Sequence, residues 1–185
     1  FNFQRETQAM ATPPARNNSA SSEKRKSYIE HGINVVQRTI HYYRGFQKVI
    51  TENKQTYLRG SMAVRDCENN EYMWFDTIER MDGAPWLRPG FYNAAMENSV
   101  DAKNPGRQQI RPVHTQRNSE NRICNFLIHP SAKPHFLTGC IAPGTEDVGG
   151  LLDSSDSLEL IFDCLGGFQP GKQVFLRVDG AMPGQ

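Results

Sequence analysis

From residue 57 to residue 178 the chain is cut into short runs of β-favouring residues by turn signals, and this punctuation constrains the fold more than any other feature. Residues 57–64 read as one strand, and Tyr72-Met73-Trp74-Phe75-Asp76-Thr77-Ile78-Glu79 as another, with a polar turn at 67–70 between them. Asp82-Gly83 and Pro89-Gly90 mark further turns, and Phe91-Tyr92-Asn93-Ala94-Ala95-Met96 follows as a strand. Residues 123–128 are a nearly continuous apolar run, the pattern of a strand buried on both faces. Gln173-Val174-Phe175-Leu176-Arg177-Val178 closes the domain as a last strand. One helix stands out: Asp156 can cap it with Glu159 three residues on, Leu158, Ile161, Phe162 and Leu165 give its apolar stripe, and Gly166-Gly167 end it. Between 27 and 45 the pattern is mixed, and we read a short helix leading into a strand at 39–43. The expected class is mainly β with one or two helices (α+β), arranged as a sheet or barrel.

The apolar pattern does not extend to the start of the chain. Residues 1–26 combine Pro13-Pro14, Asn17-Asn18-Ser19-Ala20-Ser21-Ser22 and Glu23-Lys24-Arg25-Lys26, too little apolar surface to offset the entropy of ordering. They read as a disordered linker or tail, a possible tether to an upstream domain, and 27–185 as a single domain whose β-rich core runs from about 40 to 180. Hydrophobic content of 37% supports such a core, while a mean hydropathy of −0.63 reflects the polar remainder. The net charge of +1 argues against a broad electrostatic footprint for nucleic acid or an anionic membrane surface. No apolar run approaches the ~20 residues that span a bilayer. The opening Phe1-Asn2-Phe3-Gln4-Arg5 carries no signal-peptide core, so we expect a piece of something longer, with any export signal outside it. Residues 97–121, polar and centred on Asn104-Pro105-Gly106, read as a long irregular loop of the kind that forms a lid or substrate rim.

Four cysteines, Cys67, Cys124, Cys140 and Cys164, include no Cys-x-x-Cys pair, so neither a zinc ribbon nor a redox dithiol is signalled. Cys124 and Cys164 sit in apolar surroundings as small core residues, and Cys67 sits among charges as a loop thiol. Cys140 has the setting of a reactive group. It follows Gly139, which permits a tight turn or close backbone approach, and it comes eleven residues after His129, at the end of the apolar run where Pro130 stops the ladder. A loop between them can return Cys140 to His129, giving a thiolate–imidazole pair, with the Gly139 and Cys140 amides aimed at a developing oxyanion. Alone, the spacing more often marks a structural His and a buried Cys than a reactive pair. Thr138, His135 and Glu79 are accessory candidates, although His135 also reads as a solvated loop histidine and Glu79 as a solvent-facing strand carboxylate. His129, His135 and Cys140 number enough for a zinc site, but they lack the helical spacing of zincins and a nearby carboxylate base, so we expect no metal and no cofactor.

Asn125-Phe126-Leu127-Ile128-His129-Pro130 and Phe136-Leu137-Thr138-Gly139-Cys140-Ile141 together resemble the active-site strand and loop of L,D-transpeptidases, the YkuD-like fold. More closely, the stretch from about 40 to 178 resembles a family found among phage and secretion-system proteins, whose core reads Ile-His-Pro-Gly-Asn…Gly-Cys-Ile. Ile128-His129-Pro130, Gly139-Cys140-Ile141 and Gly144 carry the match, with Thr77-Ile78-Glu79 and 87–92 upstream. Leu137 and Thr138 stand where the transpeptidases have serine and histidine, Ala142 where they have an arginine, and Ser131-Ala132 where the closer family has Gly-Asn. The resemblance implies an L,D-transpeptidase-like sandwich or barrel in which Cys140 is the nucleophile and His129 the base. It further implies acyl transfer on the peptide stems of peptidoglycan, as L,D-carboxypeptidase or L,D-transpeptidase, by a cell-wall-directed effector or phage tail component delivered to a target periplasm. The missing arginine favours the alternative, a non-catalytic cell-wall-binding or structural module of a phage tail or secretion apparatus.

Overall fold

The computed structural model describes residues 39–45, 48–50, 54, 56–65, 72–81, 85–147 and 149–180. The expected tail over 1–26, the helix leading out of it and Cys67 lie outside the described residues. In chain order the elements are β1 (Thr39–Tyr43), β2 (Lys48–Ile50), β3 (Thr56–Arg65), β4 (Tyr72–Arg80), β5 (Gly90–Asn98), β6 (Gln108–Pro112), a 3-10 turn (Pro134–Phe136), β7 (Ile141–Asp147), β8 (Gly150–Leu152), α1 (Ser154–Cys164) and β9 (Gln173–Asp179). The described class is mainly β with one helix. No helix among the described residues is long and apolar enough to cross a membrane.

The strands join in the order β6-β5-β9-β1-β3-β4-β7-β8, with β2 paired to β3. All pairs are antiparallel except β1 with β9, where Ile40 lies opposite Leu176 and Tyr42 opposite Val178. Strand β9 alternates as a half-buried strand should, with Val174, Leu176 and Val178 inward. Strand β1 is central, and Thr39, Ile40, His41 and Tyr42 are all buried.

The path from β6 to β7 is completed by residues 127–129, so the sheet curls back on itself. Ile128 exchanges both backbone hydrogen bonds with Ile110 of β6, each 2.9 Å. On its other side Leu127 O accepts from Ile141 N at 2.9 Å, and His129 N donates to Ile141 O at 3.2 Å. The segment therefore carries backbone bonds on both edges and spans the gap between β6 and β7 in a curled, half-barrel sheet. It divides two clusters of buried side chains. Cys124, Phe126, Ile128 and Ile141 belong to the larger, with Leu158, Ile161 and Phe162 of α1; Leu127, Cys140 and Ala142 belong to the smaller, with Tyr57, Ile78, Leu137 and Leu151.

Four sequence expectations need correction. Residues 123–128 are not a regular strand: they are extended, with isolated bridges at Ile123 and Ile128, and Ile123 is exposed. The loop expected at 97–121 contains β6, a strand hidden by polarity because Ile110 is its one large aliphatic residue. Strands β7 and β8 went unread because Ala142, Pro143 and Gly144 mask the first and the second has three residues. Helix α1 starts two residues before Asp156. Asp153 occupies the N-cap in the left-handed region (φ 49°) without a side-chain cap bond, and Ser154 is instead tied to the sheet, donating to Pro143 O at 2.6 Å and accepting from Ser131 N at 2.9 Å. Its end is as expected: Gly166 and Gly167 adopt positive φ, and Gly167 N donates to Phe162 O.

Candidate functional site

The two residues singled out in the sequence lie at neighbouring places on adjoining backbone. Ile128 and Ile141 form a parallel bridge, and His129 follows the first as Cys140 precedes the second. Because successive side chains alternate across a strand, both point away from Ile128 and Ile141, toward the side of Leu127 and Ala142. Both line one cleft of about 1510 Å³. That exceeds the ~300–1,000 Å³ of a typical small-molecule pocket.

Local structure fixes each group. Gly139 sits at φ +83°, and a Cβ there would lie 3.0 Å from Pro85 O and 3.1 Å from the Phe126 ring, so this turn into Cys140 requires glycine. The Cys140 thiol, 6% exposed, is free of any disulfide and donates to Asn125 O at 3.7 Å. The His129 Nδ1 is 2.9 Å from Pro130 O. A carbonyl can only accept, so Nδ1 bears the proton and the neutral ring keeps its lone pair on Nε2. Thiol and imidazole are thus each bonded to a main-chain carbonyl and not to each other. Of the two amides expected to hold an oxyanion, that of Gly139 donates to Leu137 O at 3.1 Å.

Burial sets the charge states. It lowers the His129 pKa to about 4, with the Pro130 carbonyl opposing and Arg107 assisting. It raises the Cys140 pKa to about 11, against hydrogen bonding from the Leu127 backbone and the fields of Arg107 and Arg111. Moving a proton from a thiol near 11 to an imidazole near 4 costs roughly 10 kcal/mol before mutual attraction. The resting pair is neutral.

The accessory candidates fall in different places. Thr138 lines the cleft. His135 does not: its ring packs on Phe136 with centroids 3.8 Å apart, and its carbonyl accepts from Arg80. Glu79, expected to face solvent, is fully buried on the opposite side of the sheet. Its carboxylate receives Arg44 Nε at 2.6 Å, Arg44 Nη2 at 2.9 Å and the Tyr42 hydroxyl at 2.8 Å. Glu79 lies opposite Ile141 in the β4–β7 register, so this buried cluster backs the strand that follows Cys140. Among the described residues no three His, Cys, Asp or Glu side chains cluster as a metal ion would need.

Sequence reasoning missed the cations. Lys103, Arg107 and Arg122 line the cleft, as do Asp153 and Asp156 at the start of α1. The stretch 97–121 contributes Asp101, Asn104, Asn118 and Ser119 as well as two of these residues. Which of its charges line the cleft depends on β6, which the sequence did not reveal. Comparison of the chain with known protein families, with curated proteins and with solved structures finds no match.

Proposed function

We propose that the protein is a cysteine-dependent acyl-transfer enzyme of L,D-transpeptidase-like type that acts on peptidoglycan peptide stems. The observation that carries this reading is the placement of Cys140 and His129 on one face, flanking a single bridge, in a cleft wide enough for a peptide. Charges of both signs around it suit a stem that bears carboxylates and an amine. Cys140 Sγ attacks the carbonyl carbon of the scissile peptide as its proton passes to Nε2 of His129, which requires the ring to turn toward the thiol. The C–N bond then breaks, the imidazolium returns the proton to the leaving amine, and a thioester remains on Cys140. Water resolves it to a carboxylic acid, the carboxypeptidase outcome; the amine of another stem resolves it to a new peptide, the transpeptidase outcome. With a thiol near pKa 11 and an imidazole near 4, proton transfer accompanies the attack and does not precede it. The cellular setting that goes with this reading is delivery to a target cell wall, as an effector or a phage tail component.

The neutral resting pair favours a second reading, a module that binds cell-wall peptide without turning it over. Wild type and Cys140→Ser, incubated with purified tetrapeptide muropeptides and followed by mass spectrometry with binding measured in parallel, separate the two. The enzyme predicts loss or exchange of the terminal D-residue by wild type, reduced by orders of magnitude in Cys140→Ser with binding retained. Binding by both proteins with no change in muropeptide mass would overturn it in favour of the module.

A further inference from the structure

We propose that Arg107 forms a carboxylate-binding subsite beside Cys140, the feature that orients a peptide ligand in the cleft by its C-terminal carboxylate. This deepens the proposed function and rests on it for the identity of the ligand, a peptide stem. Arg107 lies just before β6 and lines the cleft together with His129 and Cys140. Its Nη2 donates to Gln109 Oε1 at 3.1 Å. Gln109 is 2% exposed and its own Nε2 donates to Glu97 Oε1 at 2.6 Å, so the amide that holds the guanidinium is itself fixed. Glu97 neutralises a different cation: the same oxygen receives Arg111 Nε at 2.8 Å and Arg111 Nη2 at 2.7 Å. Arg107 is therefore positioned by a neutral side chain and, among the described residues, has no carboxylate at ion-pair distance. Asp101 feels its field, but the Asp101 carboxylate accepts from the Lys103 amide.

The Arg107 Nε–H is buried without a hydrogen-bond partner, so a ligand meets the guanidinium at its outer nitrogens. Of these, Nη2 spends one hydrogen on Gln109, which leaves outer N–H groups able to take a planar carboxylate. The electrostatics of the neighbourhood agree in sign, since Arg107 lowers the pKa of both His129 and Cys140, as a nearby positive charge must. The same charge serves the chemistry proposed for Cys140, because it favours a negative sulfur.

Alkylation of Cys140 by iodoacetate and by iodoacetamide tests the subsite without reference to cell wall. The two reagents are similar in size and form the same S–C bond with loss of iodide, and only the first carries a carboxylate. Rates are measured on the folded chain at pH 9 by mass spectrometry of the Cys140 peptide. We expect the iodoacetate-to-iodoacetamide ratio to fall about tenfold in Arg107→Gln, the ratio set by a charge interaction of ~1.4 kcal/mol. Arg107→Lys should restore part of it, and Arg177→Gln, the same charge change on the outward side of β9, should leave it near wild type. A ratio unchanged in Arg107→Gln would overturn the proposal. So would a Cys140 that neither reagent reaches in the folded protein, since a cleft closed to a two-carbon acid holds no carboxylate. An Arg107-dependent preference alongside muropeptides of unchanged mass would defeat the acyl-transfer reading and leave the subsite standing.

Discussion

Replacing His129 by glutamine should make the protein markedly less sensitive to mild acid. In the folded state burial holds the imidazole near pKa 4, whereas an unfolded chain returns it to about 6.5. The unfolded state therefore binds the proton first, and protonation favours unfolding. The stability this histidine contributes is present above pH 6.5 and is lost as pH falls through that value toward 4. With these two pKa values the loss between pH 7 and pH 4 is about 3 kcal/mol, at a slope of ~1.4 kcal/mol per pH unit over most of the interval. Other groups titrate in the same window, among them His41, whose pKa burial also lowers to about 4. The informative quantity is thus the difference between wild type and His129→Gln, which carries no titrating proton. Urea unfolding followed by circular dichroism at half-unit steps from pH 7.5 to 4 gives that difference directly. The variant is expected to lose some stability at pH 7, from altered packing and from its contact with Pro130 O, and to lose it more slowly on acidification. Parallel curves would refute the reasoning, because they would mean that His129 has the same proton affinity folded and unfolded and is not held neutral.

Two further outcomes follow from the charge states and the buried ion pair. Glu79→Leu strands the Arg44 charge in the core and should cost about 3–5 kcal/mol by urea melts, with Arg44→Met/Glu79→Leu recovering much of it; a single-variant loss below ~1 kcal/mol would contradict the geometry. The rate of Cys140 alkylation should still be rising at pH 10, since burial raises the thiol pKa to about 11, and a plateau near pH 8 would show an activated thiolate instead.

How far each element was legible follows from where its signal lies. Strands β3, β4, β5 and β9 were readable because their side chains alternate or are rich in aromatic and branched residues, which is local information. Strand β6 was not, because Gln108-Gln109-Ile110-Arg111-Pro112 pairs through its backbone and buries Gln109 in a polar network that no periodicity reports. The apolar run at 123–128 was read as a strand for a sound reason, since Cys124, Phe126 and Ile128 do alternate against Leu127. What it lacks is a continuous partner, and that depends on two distant segments. The burial of Glu79 was likewise invisible, because it takes Arg44 and Tyr42 of a strand end 35 or more residues away to compensate it. For the site, the sequence placed His129 and Cys140 correctly on adjoining segments but not their separate bonds to Pro130 O and Asn125 O, which are set by ring and thiol orientation.

The bridging of β6 and β7 by residues 127–129 also bears on what the cleft can do. Backbone bonds on both edges hold His129 and Cys140 in the wall of a folded core, the fixed placement that the proposed nucleophilic chemistry would use. The same placement removes water from both groups, and that is why each is neutral at rest. Position and activation therefore pull in opposite directions at this site. Any charge separation between the two needs outside stabilisation, and Arg107 is the cation whose field reaches both. A bound carboxylate would neutralise Arg107 and withdraw that help, unless it leaves part of the guanidinium facing the sulfur. If the cleft carries out the proposed acyl transfer, the carboxylate and the thiolate would have to share one arginine, a geometric condition that selects ligands by length.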